Sequence, residues 1–212
     1  LDELLEVIMA IGRLIKLYPS LVTHSQRLLE IASTQVNFDF LSDYDEDQYK
    51  EVFNSFRCVS VALDAIASII AFEPGVIPSL IDPLMNAIQV QLDNQNDECS
   101  SSILKCISVI IETDAQQFSD QIFNALSSIV LSSSESGTSD AAVFLIHKAL
   151  NAGYVTEQES VVQSLMRYVN GELFLQASPP SAEMKSIVTE CFYSISNATT
   201  NPAVLSMIES IK

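Results

Sequence analysis

The sequence has no tryptophan, only five glycines, two histidines and ten basic residues. Each shortage closes off a class of protein. Five isolated glycines offer no Gly-rich loop to cradle a phosphate, and they supply too few turns for a many-stranded β fold. The two histidines, His24 and His147, stand far apart. None of the four cysteines, Cys58, Cys99, Cys106 and Cys191, forms a C-x-x-C pair, so no zinc set is spelled out. No G-x-S-x-G elbow occurs. Cys99 and Cys106 share a helix face, with Lys105 turned away from both, so neither has a basic neighbour to make it a thiolate. The sequence therefore predicts no enzyme, no metal and no cofactor. Ten scattered Lys and Arg against 27 Asp and Glu give a net charge of −17, which disfavours nucleic acid and anionic membrane and permits basic protein partners.

Long hydrophobic runs are also lacking. The most apolar stretch, residues 59–72, is interrupted by Asp64 and is too short to span a bilayer. Asp2, Glu3 and Glu6 stand where a secretory leader would be basic. The cysteines then read as free buried thiols of a reducing compartment. The sequon Asn197-Ala198-Thr199 reads as incidental in such a setting. The chain opens at Leu1 directly on a helical pattern, which reads as a fragment or a trimmed segment of a longer protein.

What the chain has in abundance is apolar residues at helical spacing. Hydrophobic residues make up 48% and charged ones 17%, enough to bury a large core. The first stripe is Leu1, Leu4, Leu5, Ile8, Ile11, Leu14, Ile15 and Tyr18, closed by Pro19. A second helix follows to about Ser33. Beyond an interruption, a helix carries Phe53, Phe56, Leu63, Ile66, Ile69 and Ile70 and stops at Glu73-Pro74-Gly75.

The same core face then returns at 41-residue steps. Leu63 maps to Leu104 and Leu145, Ala62 to Ile103 and Phe144, and Ile66 to Ile107, although the third copy has Lys148. In the second helices Ile81, Leu84, Met85 and Ile88 map to Ile122, Ala125, Leu126 and Ile129. Val161, Leu165 and Tyr168 continue the series, as do Met184, Ile187, Val188, Cys191, Phe192 and Ile195, and Pro202 opens a last helix. A two-helix period near forty residues predicts stacked pairs, because one pair alone leaves apolar surface that only its neighbours cover. The expected fold is all-α, a right-handed α-solenoid of about five antiparallel helix pairs, HEAT- or armadillo-like. The pairs are expected over residues 1–33, 48–92, 98–132, 138–175 and 181–212, with an acidic loop over 34–48.

The hairpin 76–85, with Pro78 ahead of its second helix and Pro83 in the opening turns, resembles the second helix of HEAT repeats. Over residues 47–212 the chain is similar to the importin-β (karyopherin) superfamily. Lys148 and the junction Ala177-Ser178-Pro179-Pro180-Ser181 depart from the repeat. The resemblance implies a protein-binding scaffold, part of a nuclear transport receptor that holds basic cargo or a Ran-type GTPase in cytoplasm and nucleus. The alternative is a structural HEAT subunit of an assembly with no transport role.

The most distinctive loop holds Asp39, Phe40, Asp43, Tyr44, Asp45, Glu46 and Asp47. Asp43, Asp45 and Asp47 match the first three ligand positions of a calcium loop. Gln48 and Asn54 then stand where Gly and Glu are required, so calcium is not expected. The loop is either a solvated helix cap or a contact for a basic partner, with Phe40 and Tyr44 adding apolar grip. Residues 93–98 read as a solvated connection, and the serine-rich stretch 132–139 as a flexible one.

Overall fold

A computed structural model describes residues 97–113, 115–132, 136–173 and 179–210 without a break, together with Ala10 and scattered positions between 60 and 89. The described residues are helical, with turns and short connections and no strand. The chain forms two units, Leu1–Thr113 and Asp114–Lys212.

In the first unit, Leu63, Asp64 and residues 66–71 are helical, a short 3-10 turn spans Pro74–Val76, and helix α1 spans Asp97–Glu112. Proline at 74 ends the preceding helix because it lacks an N–H and clashes with the turn before it. Buried Leu63, Ile66, Ala67, Ile69 and Ile70 share this unit's core with Cys99, Ile103, Cys106, Ile107 and Ile110 of α1. The α1 positions follow the three- and four-residue steps of one helix face. Each fully buried aliphatic side chain contributes about 1.5–3 kcal/mol relative to exposure.

In the second unit a 3-10 turn at Gln116–Phe118 leads into α2 (Ser119–Ser132). Then come α3 (Ser136–Asn151), α4 (Glu159–Val169), α5 (Ala182–Ala198) and α6 (Pro202–Glu209). α2 packs on α3 and α4, α3 on α5, α4 on α5 and α6, and α5 on α6. Alternate helices thus lie against one another. The pattern of side chains accounts for it. α2 buries Ile122, Phe123, Ala125, Leu126 and Ile129, and α4 buries Val161, Val162, Ser164, Leu165 and Tyr168 at the same internal spacing. α6 buries Val204 and Ile208.

The helix ends follow from local chemistry. Gly153 and Gly171, just past α3 and α4, have φ of +86° and +68°. That left-handed region is costly for residues bearing a Cβ, and glycine lets the chain turn away there. Ser181 caps α5, its hydroxyl accepting from the Met184 N–H at 3.2 Å. Asn201 caps α6, its Oδ1 accepting from the Ala203 N–H at 3.0 Å, with Pro202 in the first turn where no partner for its nitrogen is needed.

Two expectations need correction. Phe144 was expected to share the core face of Ile103, yet it is 53% exposed while Ile103 is fully buried. The 41-residue step carries Leu104 onto buried Leu145, but the position one residue earlier has turned to solvent in the later helix. The serine-rich stretch 132–139 is not one flexible connection. Ser132 ends α2, and Ser136, Gly137, Thr138 and Ser139 already form the first turn of α3, with Ser139 buried. Serine is tolerated in a first turn because the orphan backbone N–H donors there suit short polar side chains that can accept from them.

Candidate functional site

Asp39, Phe40, Asp43, Tyr44, Asp45, Glu46 and Asp47, like His24 and Cys58, lie outside the described residues. The polar chemistry within the described residues concentrates instead in bonds between helices and turns about forty residues apart in sequence.

In the first unit the bonds run between helix faces. Cys106 donates its S–H to the Leu63 carbonyl at 2.9 Å, and the Ser60 and Ser102 hydroxyls lie 2.7 Å apart. Lys105 Nζ sits 3.0 Å from Asp64 Oδ1, with both side chains nearly half exposed. Burial, with the Asp64 carboxylate adding to it, pushes the Cys106 thiol up to about 12. Such a thiol stays protonated at neutral pH and is a poor nucleophile and metal ligand.

In the second unit most of the bonds run between the turns that connect successive helices. The turn ahead of α2 and the turn between α3 and α4 meet first. The Ala115 N–H donates to the Tyr154 hydroxyl oxygen at 2.9 Å, and Gln116 Nε2 donates to the Ala152 carbonyl at 3.1 Å. Gln158 Nε2 donates to the Asp120 backbone oxygen at 3.3 Å and to its Oδ1 at 3.1 Å. Tyr154 is itself buried, so its ring packs while its hydroxyl satisfies a buried N–H.

The turn between α3 and α4 also meets the turn between α5 and α6. Glu157 takes the Thr199 hydroxyl at 2.5 Å, the Thr200 N–H at 2.9 Å and the Asn201 N–H at 2.8 Å. Asn201 Nδ2 donates back to the Glu157 carbonyl at 2.9 Å. The Thr199 bond first, then the backbone bonds, hold the Glu157 carboxyl below its ordinary range.

Further up the helices, Tyr168 of α4 donates to Asp140 of α3. Burial first, then that acidic partner, raise the Tyr168 phenol above its ordinary range. His147 Nε2 of α3 lies 2.9 Å from Glu190 Oε2 of α5. Burial, reinforced by Glu190, pushes the Cys191 thiol up to about 12.

Among the described residues no group of three His, Cys, Asp or Glu could hold a metal ion. In the same set no helix is long and apolar enough to cross a membrane. Phe144 and Tyr193, 53% and 70% exposed, are the most accessible aromatics of the second unit's described helices. What this arrangement does chemically is hold helices and turns distant in sequence against one another. The sequence had marked the helices for core packing but not these turns: Glu157 and its partners stand 42 to 44 residues apart, with no motif to join them. Comparison with protein-family models, with curated proteins and with solved structures finds no match.

Proposed function

We propose that the chain is a stretch of right-handed α-solenoid of HEAT type that serves as a scaffold for binding basic proteins, and has no catalytic role. The observation that supports the reading is the spacing of side-chain bonds within each unit. Partners stand 42 residues apart for Ser60 and Ser102, 43 for Cys106 and Leu63, 39 for Ala115 and Tyr154, 43 for His147 and Glu190, and 42 for Thr199 and Glu157. A stack of repeats makes its contacts between nearest neighbours, one period apart. The alternate packing of α2, α4 and α6, and of α3 and α5, fits the same reading.

The binding half of the proposal rests on charge. A chain of net charge −17 draws basic partners and raises their encounter rate at low salt. In its most specific form the proposal makes the chain part of an importin-β-like transport receptor that takes basic cargo or a Ran-type GTPase, shared between cytoplasm and nucleus. The acidic segment with Asp43, Asp45 and Asp47 is the proposed contact, with Phe40 and Tyr44 beside it.

Two experiments test these layers separately. A compact domain of this length has a radius of gyration of about 17 Å. Small-angle scattering should give a larger value, and a value at or below it counts against an open stack. Pull-down with basic proteins at low and high salt should show enrichment that falls as salt rises. Absent or salt-insensitive enrichment removes the binding claim. Capture of a GTP-loaded Ran-type GTPase supports the transport form; basic partners without it place the chain among structural scaffolds.

A further inference from the structure

The turn between α3 and α4 grips its two neighbours with different chemistry. Towards α2 it uses uncharged groups of its own: the Tyr154 hydroxyl, the Ala152 carbonyl and the Gln158 amide. Towards the α5–α6 turn it uses one ionised side chain, Glu157, which gathers donors from three consecutive residues, Thr199, Thr200 and Asn201. A carboxylate suits such convergence because it only accepts and has two oxygens to offer.

The packing on the two sides differs as well. α2 buries seven side chains along its length, Ile122 and Phe123 among them. α6 is eight residues long and buries only Val204 and Ile208. An element with so little apolar burial depends more on its polar attachments to stay docked.

We propose that Glu157 is a charge-dependent latch whose carboxylate keeps the α5–α6 pair closed on α4, and that this pair opens as a unit when the charge is removed. A glutamine at 157 keeps one acceptor oxygen and turns its NH2 towards a backbone N–H that also donates, so part of the grip is lost while the shape is kept. The opening would release α5 and α6 together, uncovering the face of α3 on which α5 packs, since they pack on each other and the turn between them is what Glu157 holds.

Amide hydrogen exchange on the full chain tests the latch. Glu157→Gln should speed exchange several-fold across residues 182–209 and leave residues 119–132 near the unmutated rate. Thr199→Val, which removes one donor and keeps the carboxylate, should move the same residues by less. Gln158→Ala, on the uncharged side, should leave 182–209 unchanged. Glu159→Gln removes a nearby exposed charge that belongs to α4 itself, and it too should leave 182–209 unchanged. The proposal is overturned if 182–209 keeps its protection in Glu157→Gln. It is equally overturned if Glu159→Gln opens the pair as readily as Glu157→Gln, or if exchange rises uniformly from 119 to 209.

Discussion

The two units place their long-range side-chain bonds at different heights along the helices. In the first unit the cross-period bonds sit midway along helices, where Cys106 reaches the Leu63 carbonyl and Lys105 meets Asp64. In the second most sit in the turns, where Tyr154 and Glu157 each hold a neighbouring turn, and one, His147 with Glu190, joins α3 to α5 midway along the helices. Mid-helix bonds join surfaces whose backbone groups are already paired within the helix. Turn bonds have unpaired N–H groups to satisfy, and losing one leaves a donor stranded. The same one-period spacing therefore carries unequal weight in the two units.

The comparison breaks first where both kinds of bond depend on a packed core. Phe123→Ala in α2 removes a fully buried ring and should cost about 3–5 kcal/mol, read from urea denaturation. A smaller loss would mean that turn bonds, not packing, hold the second unit. Tyr154→Phe keeps the ring and deletes the oxygen that accepts from the buried Ala115 N–H, at a cost of about 1–3 kcal/mol. Lys105→Met removes the exposed pair with Asp64 and should change stability by less than about 0.5 kcal/mol, with little response to added salt. A Lys105 effect equal to that of Tyr154 would erase the distinction between the units.

Two further measurements sharpen it. The folded Glu157 carboxyl is held below its ordinary range, so its contribution is present above the unfolded carboxyl range and fades as pH falls through the lower folded value. Acid titration of the unmutated chain should show that loss, and Glu157→Gln should flatten it. A titration identical in the two proteins would remove the acid dependence. The thiols of Cys106 and Cys191 should resist alkylation at pH 8 in the native chain and react fully in urea, as a mass shift will show.

The helical character was legible because apolar residues recur at three and four residue steps, and the described residues are helical apart from turns and short connections. Core positions were legible where the periodic face was narrow: Leu63, Leu104 and Leu145 are all buried. Phe144 misled because a repeat offset preserves sequence position, whereas burial depends on how far the helix has rotated against its neighbours. Ile103 and Phe144 occupy equivalent positions and opposite environments. Ser136 to Ser139 misled because composition marks them as loop, yet a first helical turn accepts them. The turn bonds were not legible at all. Glu157 lies between Thr156 and Gln158, in a stretch with no motif, and its partners become neighbours only after a full period of chain has folded back. The acidic loop from Asp39 to Asp47 lies outside the described residues.

Thr199 has one more consequence. It is the third residue of Asn197-Ala198-Thr199, and an acceptor sequon belongs in an accessible surface loop. Here Asn197 sits in the last turn of a helix, and Thr199 is buried with its hydroxyl committed to Glu157. Asn197 and Ala198 stay exposed, yet folding conceals the threonine that a glycan-transferring enzyme must read. A sugar at Asn197 would have to be attached to the nascent chain, before the surrounding helices assemble.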